Sequence, residues 1–361
     1  MLKKIHQRLN RASQRPYQML QIETSMHCNL ECVMCPWIDN HSQDKILTPD
    51  TFSHIRPYLS LAKEVDLTGG GEPLANPHIT EIVRAAKDAG CQVGFSTNGT
   101  LLTRDLAANF VKMGLDWISF SFDAATPETY HKIRQGSNYD TVIGNIQALR
   151  ELKTQMDSAV PRLMMVFVMM TGNQENFHEL PEYIDLAHSL SIEQVVAKNL
   201  DVITKDGDFE RVLFTHNGDP LPEVEAIREK AQKRAAELGI GLRLYELQPR
   251  QQVICEQRPV HNLYINWAGN VSPCITLSYA ENRVFNGENV HVPCQIYGDI
   301  NKESLETIWA KPEYAAFRNI YEIRQLREQE ALMQTMLGGS DEFSLPPAPE
   351  GCQTCYYLYG I

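Results

Sequence analysis

Residues 22–38, IETSMHCNLECVMCPWI, contain three cysteines in the spacing C-x3-C-x2-C. The apolar run that ends at residue 22 predicts a strand, so Cys28, Cys32 and Cys35 share one loop at the end of that strand. Thiolates bind soft metals such as zinc or iron-sulfur clusters, and three protein ligands leave one coordination position open for a small molecule. A structural zinc site is the alternative, but neither neighbouring histidine has the usual zinc-ligand spacing.

The cysteine spacing, with Asn-Leu after the first cysteine and Met before the third, resembles that of the radical S-adenosylmethionine (radical SAM) enzymes. In that family the three cysteines hold a [4Fe-4S] cluster, and SAM chelates its remaining iron. Electron transfer then cleaves SAM to methionine and a 5'-deoxyadenosyl radical, which abstracts hydrogen from the substrate. The resemblance makes Cys28, Cys32 and Cys35 the cluster ligands and places Met34 near the adenine. It also implies an electron donor such as flavodoxin or ferredoxin.

Length and charge limit the class of protein. With 361 residues the chain exceeds one average domain. Its formal net charge of -12 argues against a nucleic-acid partner. The sequence shows neither a secretory signal pattern nor a stretch as long as a membrane span, so we expect a cytoplasmic protein. In that reducing compartment nine cysteines are expected to bind metal rather than form disulfides.

From residue 18 to 250, short apolar runs alternate with amphipathic helical stretches, which is the pattern of parallel βα units. The predicted strands are 18–24, 64–68, 92–96, 117–122, 163–169 and 194–198, with a further apolar run at 241–245. The predicted helices are 80–89, 104–113, 139–152, 176–190 and 222–238. A complete eight-unit barrel takes roughly 250 residues. Six units in a comparable span therefore predict a partial, open (βα)6 TIM-like barrel with long loops.

Distinctive short motifs follow the predicted strands, in the loops where such barrels carry catalytic residues. They are TGGGEP at 68–73, STNG at 96–99, SFD at 121–123 and MTGN at 170–173. Consecutive glycines let the backbone turn sharply and approach a ligand closely. In the radical SAM family this glycine motif binds the amino group of SAM. The resemblance therefore assigns Gly70, Gly71 and Glu72 to SAM, and Asn98 to the same side of the pocket.

Three further residues are candidates at the same rim. Ser121 and Arg134 resemble family residues that contact the SAM carboxylate, and a planar guanidinium can reach both oxygens of a carboxylate. A position on a surface helix is the alternative for Arg134. Asp123, beside the predicted SAM site, is the candidate catalytic base.

A second cysteine set follows a change of periodicity after residue 247. Two apolar runs around Ala-Gly-Asn at 268–270 predict a β-hairpin. The four cysteines of the set are Cys255, Cys274, Cys352 and Cys355, and together they would close a four-ligand site. The arrangement resembles the SPASM/twitch extension of radical SAM enzymes and implies one auxiliary [4Fe-4S] cluster. Zinc is the alternative metal, and Cys294 is a spare cysteine that could replace a ligand.

The expected organisation is an N-terminal segment at 1–17, a radical SAM partial barrel at 18–250 and a SPASM/twitch domain of a β-hairpin plus helices at 251–361. Helices are predicted at 305–308 and 314–327, and loops at 201–221 and 338–350.

Three functions are compatible with the sequence. The first is an oxidoreductase that dehydrogenates a small hydroxylated metabolite and passes one electron to the auxiliary cluster. The second is a radical SAM enzyme that modifies a peptide or protein. The third is a non-catalytic, zinc-stabilised scaffold, against which the glycine loop and the rim motifs argue.

Overall fold

The structure is a computed structural model that describes residues 15–172, 175–204, 206–214, 221–336 and 344–361. Most of the predicted N-terminal segment, Asn173, and parts of the two predicted loops lie outside these residues. Within them, no helix is long and apolar enough to cross a membrane.

In the residues that the structure describes, seven successive parallel strands form most of the main sheet, and helices connect them. The strands are β1 (Tyr17–Ile22), β2 (Ala62–Asp66), β3 (Gln92–Thr97), β4 (Trp117–Ser121), β5 (Arg162–Met169), β6 (Gln194–Asn199) and β7 (Gly241–Leu244). The helices are α1 (Pro49–Ile55), α2 (Ile79–Asp88), α3 (Arg104–Met113), α4 (Pro127–Ile133), α5 (Tyr139–Gln155), α6 (Leu180–Ser189) and α7 (Pro222–Leu238). Each strand pairs in parallel with the next along the chain. The predicted parallel architecture is thus confirmed, with the run at 241–244 as the seventh strand.

The C-terminal part adds short strands and three helices. The strands are β8 (Asn262–Ile265), β9 (Asn270–Ser272), β10 (Glu281–Phe285), β11 (Glu288–Val292) and β12 (Gly298–Asp299). The helices are α8 (Leu305–Trp309), α9 (Pro312–Met336) and α10 (Glu350–Gln353). The predicted hairpin is formed by β8 and β9, which pair antiparallel.

The hairpin extends the main sheet instead of standing apart from it. Strand β8 pairs in parallel with β1, so the sheet runs β12-β9-β8-β1-β2-β3-β4-β5-β6-β7. Among the described strands, β12 and β7 are its two ends, and the sheet is open as expected. The predicted boundary between residues 250 and 251 therefore separates two stretches of sequence that share one sheet.

Local signals explain where the helices begin and end. The predicted helix 104–113 matches α3 at both ends because Thr103 accepts a capping bond from the Leu106 N–H and Gly114 takes the left-handed conformation after the last turn. The predicted helix 176–190 is shorter in the structure. A 3-10 turn occupies Phe177–Glu179, and α6 begins at Leu180 with a proline in its first turn.

Alternation along the strands sorts side chains between the two faces of the sheet. In β4, Ile118 and Phe120 are fully buried in the apolar core, whereas Ser119 and Ser121 point to the opposite face. Because the strands are parallel, their carboxyl ends lie at one edge of the sheet, and the polar face opens there into a cavity.

Candidate active site

The cavity at the carboxyl ends of the strands has a volume of about 320 Å³. The three cysteines of the first motif lie in its wall, in the loop after β1. This loop is fixed against the end of α4, since the N–H of Glu31 donates to the carbonyl of Gln135 and that of Val33 to the carbonyl of Ile133, both at 3.0 Å. All predicted SAM-binding residues line the same cavity: Met34, Gly70, Gly71, Glu72, Asn98, Ser121 and Arg134.

Burial changes the acidity of the first three thiols. Burial raises the pKa of Cys28 to about 11 and that of Cys35 to about 12, and it also raises the pKa of Cys32. Such thiols stay protonated at neutral pH until a metal takes the place of the proton.

The spacing of the thiols bears on the kind of metal group. In the part of the chain that the structure describes, no three His, Cys, Asp or Glu side chains form a group that could hold one metal ion. The thiols nevertheless raise one another's pKa, so they lie within electrostatic reach. Three thiols that face one cavity supply the ligands of an iron-sulfur cluster, which thiolates hold.

The glycine loop lies directly against the cysteine loop. A side chain at Gly71 would place its Cβ 2.4 Å from the carbonyl oxygen of His27, and one at Gly70 would place its Cβ 2.7 Å from the sulfur of Met26. The N–H of Glu72 also donates to the His27 carbonyl at 2.8 Å. At position 71 only glycine allows this approach, because the contact is with backbone.

The Glu72 carboxylate is buried and joins two of the rim loops. One oxygen accepts from the Thr97 hydroxyl at 2.6 Å and from the Leu74 N–H at 3.0 Å, and the other accepts from the Asn98 N–H at 2.7 Å. Burial raises the pKa of Glu72, and these hydrogen bonds oppose the rise. Its contact with the SAM amino group stays a prediction, while its contribution to holding the rim is evident from these bonds.

Asn98 connects the third strand to the cysteine loop. Its side-chain amide donates to the Asn29 side chain at 3.0 Å and lies 3.9 Å from the sulfur of Cys28. The fixed amide thus contributes a polar wall beside the first cysteine.

Arg134 and Asp123 form a buried ion pair. Nε and Nη2 of Arg134 each lie 2.5 Å from one oxygen of Asp123, and the other oxygen accepts from the Val168 N–H at 2.7 Å. Nη1 of Arg134 lies 3.7 Å from the sulfur of Cys32. Burial lowers the pKa of Arg134, but Asp123 and Cys32 more than reverse that effect, so the guanidinium remains charged. The surface alternative for Arg134 is wrong, because its side chain is buried beside the cysteine loop.

Asp123 is fully buried and does not line the cavity. With both oxygens engaged, it is placed to orient Arg134, which does face the cavity. Its predicted role as a base stays a prediction, and the geometry favours a positioning role.

The four cysteines of the second set are buried together. Neighbouring thiols add to the burial that raises the pKa of Cys255 to about 12 and that of Cys355 to about 11, and burial also raises the pKa of Cys274 and Cys352. Cys294 is exposed. The fold thus joins the hairpin cysteines to the C-terminal pair, as a four-thiolate cluster requires.

One wall of the cavity belongs to this second cysteine set. Gln257, Thr276 and Tyr357 line the cavity, and each stands two residues after a cysteine of the set. The hydroxyl of Thr276 is 3.1 Å from the sulfur of Cys274. The first cysteine set therefore lines the cavity directly, and the second set adjoins it through these three neighbouring residues.

Lys198, Asp201 and His41 are among the cavity residues that were not predicted. Lys198, at the end of β6, forms an ion pair with Asp201, and both line the cavity. Nε2 of His41 lies 3.1 Å from the Gly70 carbonyl and 3.9 Å from the sulfur of Cys35. The position of Lys198 at a strand end was a usable signal, whereas nothing in the spacing of His41 indicates its contact with the glycine loop.

Comparisons with known proteins agree with this architecture. A family model described as the radical SAM superfamily matches residues 22–187, and one described as an iron-sulfur cluster-binding domain, SPASM, matches residues 255–356. The chain is 25% identical over 308 residues to the tungsten-containing aldehyde ferredoxin oxidoreductase cofactor-modifying protein of Pyrococcus furiosus, covering 83% of each chain. It is 24% identical over 340 residues to the AdoMet-dependent heme synthase of Methanosarcina barkeri, covering 86% of each.

Solved structures show the same fold. Streptococcus suis SuiB bound to S-adenosylmethionine superposes with a TM-score of 0.61 at 14% identity, over 88% of this chain and 72% of that one. SuiB bound to its precursor peptide SuiA gives a TM-score of 0.62 at 14% identity, over 99% and 75%. The first family model implies a [4Fe-4S] cluster and SAM, and the second implies auxiliary iron-sulfur binding. The chain belongs to the radical SAM superfamily and carries a C-terminal SPASM domain.

Proposed function

We propose that the protein is a radical SAM oxidoreductase that dehydrogenates a small hydroxylated metabolite. The observation that carries the proposal is the single cavity of about 320 Å³ that Cys28, Cys32 and Cys35 line on one side and Gln257, Thr276 and Tyr357 line on another. A substrate there lies between the site of hydrogen abstraction and the four buried thiols of the SPASM domain. When bound, the first cluster and SAM supply a 5'-deoxyadenosyl radical, and the auxiliary cluster supplies a one-electron acceptor.

The residues proposed to hold the two groups are those of the two cysteine sets and the rim. Cys28, Cys32 and Cys35 are proposed for the first cluster, with the glycine loop and Arg134 for SAM. The second set is proposed for the auxiliary cluster: Cys255, Cys274, Cys352 and Cys355. Asp123 holds the guanidinium of Arg134 in place, and that positive charge faces the cavity. A guanidinium in this position suits the carboxylate of SAM.

Part of the cavity wall suits the hydroxyl groups of a polar substrate. The strand ends contribute amide and hydroxyl side chains from Gln21, Thr68, Ser96 and Ser121. These groups can donate to and accept from substrate hydroxyls, and the apolar side chain of Val168 interrupts them. A polyhydroxylated ring with one apolar edge fits this lining.

Loss of hydrogen from a carbon that bears a hydroxyl leaves a carbonyl only if the hydroxyl also gives up a proton. Among the described residues, two carboxylates line the cavity, and that of Glu72 is engaged by three donors. The other is Asp201, whose Lys198 partner is itself in the cavity wall. We assign to Asp201 the acceptance of the hydroxyl proton, and to Lys198 the orientation of that carboxylate.

The names of two curated relatives favour a small molecule over a peptide. The two curated relatives are named for a cofactor modification and for heme synthesis, and both names describe non-peptide products. Peptide modification is the second candidate function, because the fold of SuiB, solved with a precursor peptide, covers nearly the whole chain.

Anaerobic reconstitution tests the proposal. A protein with two [4Fe-4S] clusters should hold about eight irons per chain, and it should form 5'-deoxyadenosine only with a reductant, for which flavodoxin or ferredoxin is the proposed physiological donor. Deuterated candidate metabolites should transfer label into 5'-deoxyadenosine. Zinc in place of iron, with no SAM cleavage, would contradict the enzyme, and label transfer from a peptide alone would favour the second candidate.

Substitutions test the roles of the two cysteine sets separately. The double variant Cys352→Ala, Cys355→Ala should cleave SAM without forming product, and Asp201→Asn should do so with both clusters intact. Cys294→Ala is the matched control, since its thiol is exposed, and it should keep full iron content and product yield. Equal product from the double variant would refute an electron-accepting role for the second set.

A further inference from the structure

Glu23 is a buried carboxylate that the proposed reaction does not use. It follows the last residue of β1, its side chain is fully buried, and it does not line the cavity. One of its oxygens accepts from the Gly70 N–H at 2.8 Å. The other accepts from the Trp267 N–H at 3.3 Å and from the hydroxyl of Tyr279. One carboxylate thus joins the glycine loop to two segments of the SPASM domain.

The environment of Glu23 is unusual for a core residue. The groups that donate to Glu23 are neutral: the N–H groups of Gly70 and Trp267 and the hydroxyl of Tyr279. Burial raises its pKa, while the hydrogen bonds from Tyr279 and Gly70 oppose that rise. A carboxylate kept in the interior on neutral donors is costly unless each donor is held in place. The geometry of these three donors therefore decides how stable the carboxylate is in the interior.

The glycine loop is shaped around this carboxylate. A Cβ at Gly69 would lie 2.3 Å from Cγ of Glu23, so the loop backbone packs directly on the side chain. A Cβ at Gly70 would lie 3.1 Å from the Trp37 ring, and that ring is 5.5 Å from the ring of Tyr279. The hydrogen bonds and the aromatic contact therefore connect the same two regions independently.

The two SPASM-domain donors to Glu23, Trp267 and Tyr279, lie close in sequence to cysteines of the second set. Trp267 stands in the turn of the hairpin that lies between Cys255 and Cys274. Tyr279 follows Cys274 by five residues, after the 3-10 turn Ile275–Leu277. Anything that orders these segments also fixes the two donors that face Glu23.

We propose that Glu23 is a positioning residue that couples the SPASM domain to SAM binding. The Glu23 carboxylate accepts from the Gly70 N–H and so fixes the glycine loop in the orientation that the SAM site requires. Tyr279 and Trp267 in turn hold the Glu23 carboxylate in place. Coupling between two sites is reciprocal. If the hairpin and the Tyr279 segment strengthen SAM binding, then SAM binding must stabilise these two segments by the same free energy.

The test uses the reconstituted full chain with Tyr279→Phe and Glu23→Gln, and Glu179→Gln as the matched control. Glu179 is also a buried carboxylate that accepts from backbone N–H groups, of Ala125 at 2.7 Å and Thr126 at 3.1 Å, but it does not line the cavity or touch the glycine loop. SAM affinity is measured by titration of the EPR spectrum of the reduced protein. Hydrogen exchange across residues 262–279 is measured with and without SAM.

Tyr279→Phe and Glu23→Gln should each bind SAM on the order of tenfold more weakly, because each loses one hydrogen bond to a charged group. SAM should slow exchange across residues 262–279 in the parent protein and in Glu179→Gln, but not in Tyr279→Phe. Parent-like SAM affinity and exchange in an iron-loaded Tyr279→Phe would overturn the coupling, even if Glu23→Gln failed to fold. Neither measurement requires substrate, so the outcome is independent of the proposed dehydrogenation.

Discussion

The substitution Asp123→Asn separates a catalytic base from a positioning residue at the centre of the site. Asp123 is fully buried, one oxygen bonds Nε and Nη2 of Arg134 at 2.5 Å, and the other accepts from the Val168 N–H at 2.7 Å. Asparagine keeps the shape but has a single carbonyl oxygen, so it can serve Arg134 or Val168 and not both. The variant also leaves the guanidinium without its counter-charge beside Cys32.

The loss of stability expected for Asp123→Asn follows from the burial of the ion pair. Removing one partner of a buried ion pair costs about 3–5 kcal/mol, because the remaining charge stays in the interior without compensation. For domains of 150–250 residues, 1 kcal/mol shifts the melting temperature by roughly 2–4 °C, so a fall of about 10 °C is expected here. A matched control is Asp116→Asn, whose ion pair with Lys87 at 2.5 Å is partly exposed and remote from the cavity. That change should cost about 1 kcal/mol or less.

The assay compares SAM affinity with product formation in the iron-loaded variant. If Asp123 orients Arg134, SAM binding weakens at least tenfold and SAM cleavage falls with it, because the guanidinium no longer has a fixed direction. If Asp123 is the base, SAM affinity and SAM cleavage stay at the parent level while product disappears. The second pattern, with a normal melting temperature, would refute the positioning role and restore the base.

Three further predictions follow from the geometry. Gly71→Ala should abolish SAM binding while keeping the iron of the second set, because its Cβ would lie 2.4 Å from the His27 carbonyl; SAM titration and iron analysis check this. Burial raises the pKa of Asp66 to about 6, so its charged form opposes folding. The stability that the protonated form contributes is fully present below about pH 4 and is lost as the pH rises through 6. Asp66→Asn should therefore be more stable than the parent by about 1–2 kcal/mol at pH 8, allowing for the partial exposure of the residue, and the gain should shrink towards pH 5.5 in thermal melts; an unchanged gain would contradict the assignment. Lys198→Met should retain SAM cleavage and lose most product, since Asp201 loses its partner; parent-like turnover would exclude that ion pair from the proton transfer.

The positions of the rim motifs could be predicted because they depend on backbone periodicity alone. Parallel strands bring their carboxyl ends to one edge, so motifs that follow strands converge there whatever their side-chain partners are. The same reasoning located α3 and α7 at their observed bounds, since cap residues at both ends of α3 and the proline and glycine that flank α7 are local signals.

Side-chain partners could not be predicted, because they depend on contacts between distant segments. Asp123 follows a strand like any rim residue, and only the packed fold shows that Arg134 and Val168 occupy both of its oxygens. Glu23 and Tyr279 are separated by 256 positions in the sequence, and no periodicity relates them. The pairing of β8 with β1 is equally long-range, and it changes an expected separate extension into part of the main sheet.

That strand pairing has a consequence for electron transfer. The first cysteine loop follows β1, and the hairpin that begins with β8 carries Cys274 just beyond its second strand. Four residue pairs in register, from Met19 opposite Asn262 to Ile22 opposite Ile265, lock these two strands together. A flexible link between domains would let the distance between the two cysteine sets vary, whereas a parallel ladder in the centre of a sheet fixes it. The sheet itself therefore sets the separation between the two cysteine sets, across which the proposed electron transfer would take place.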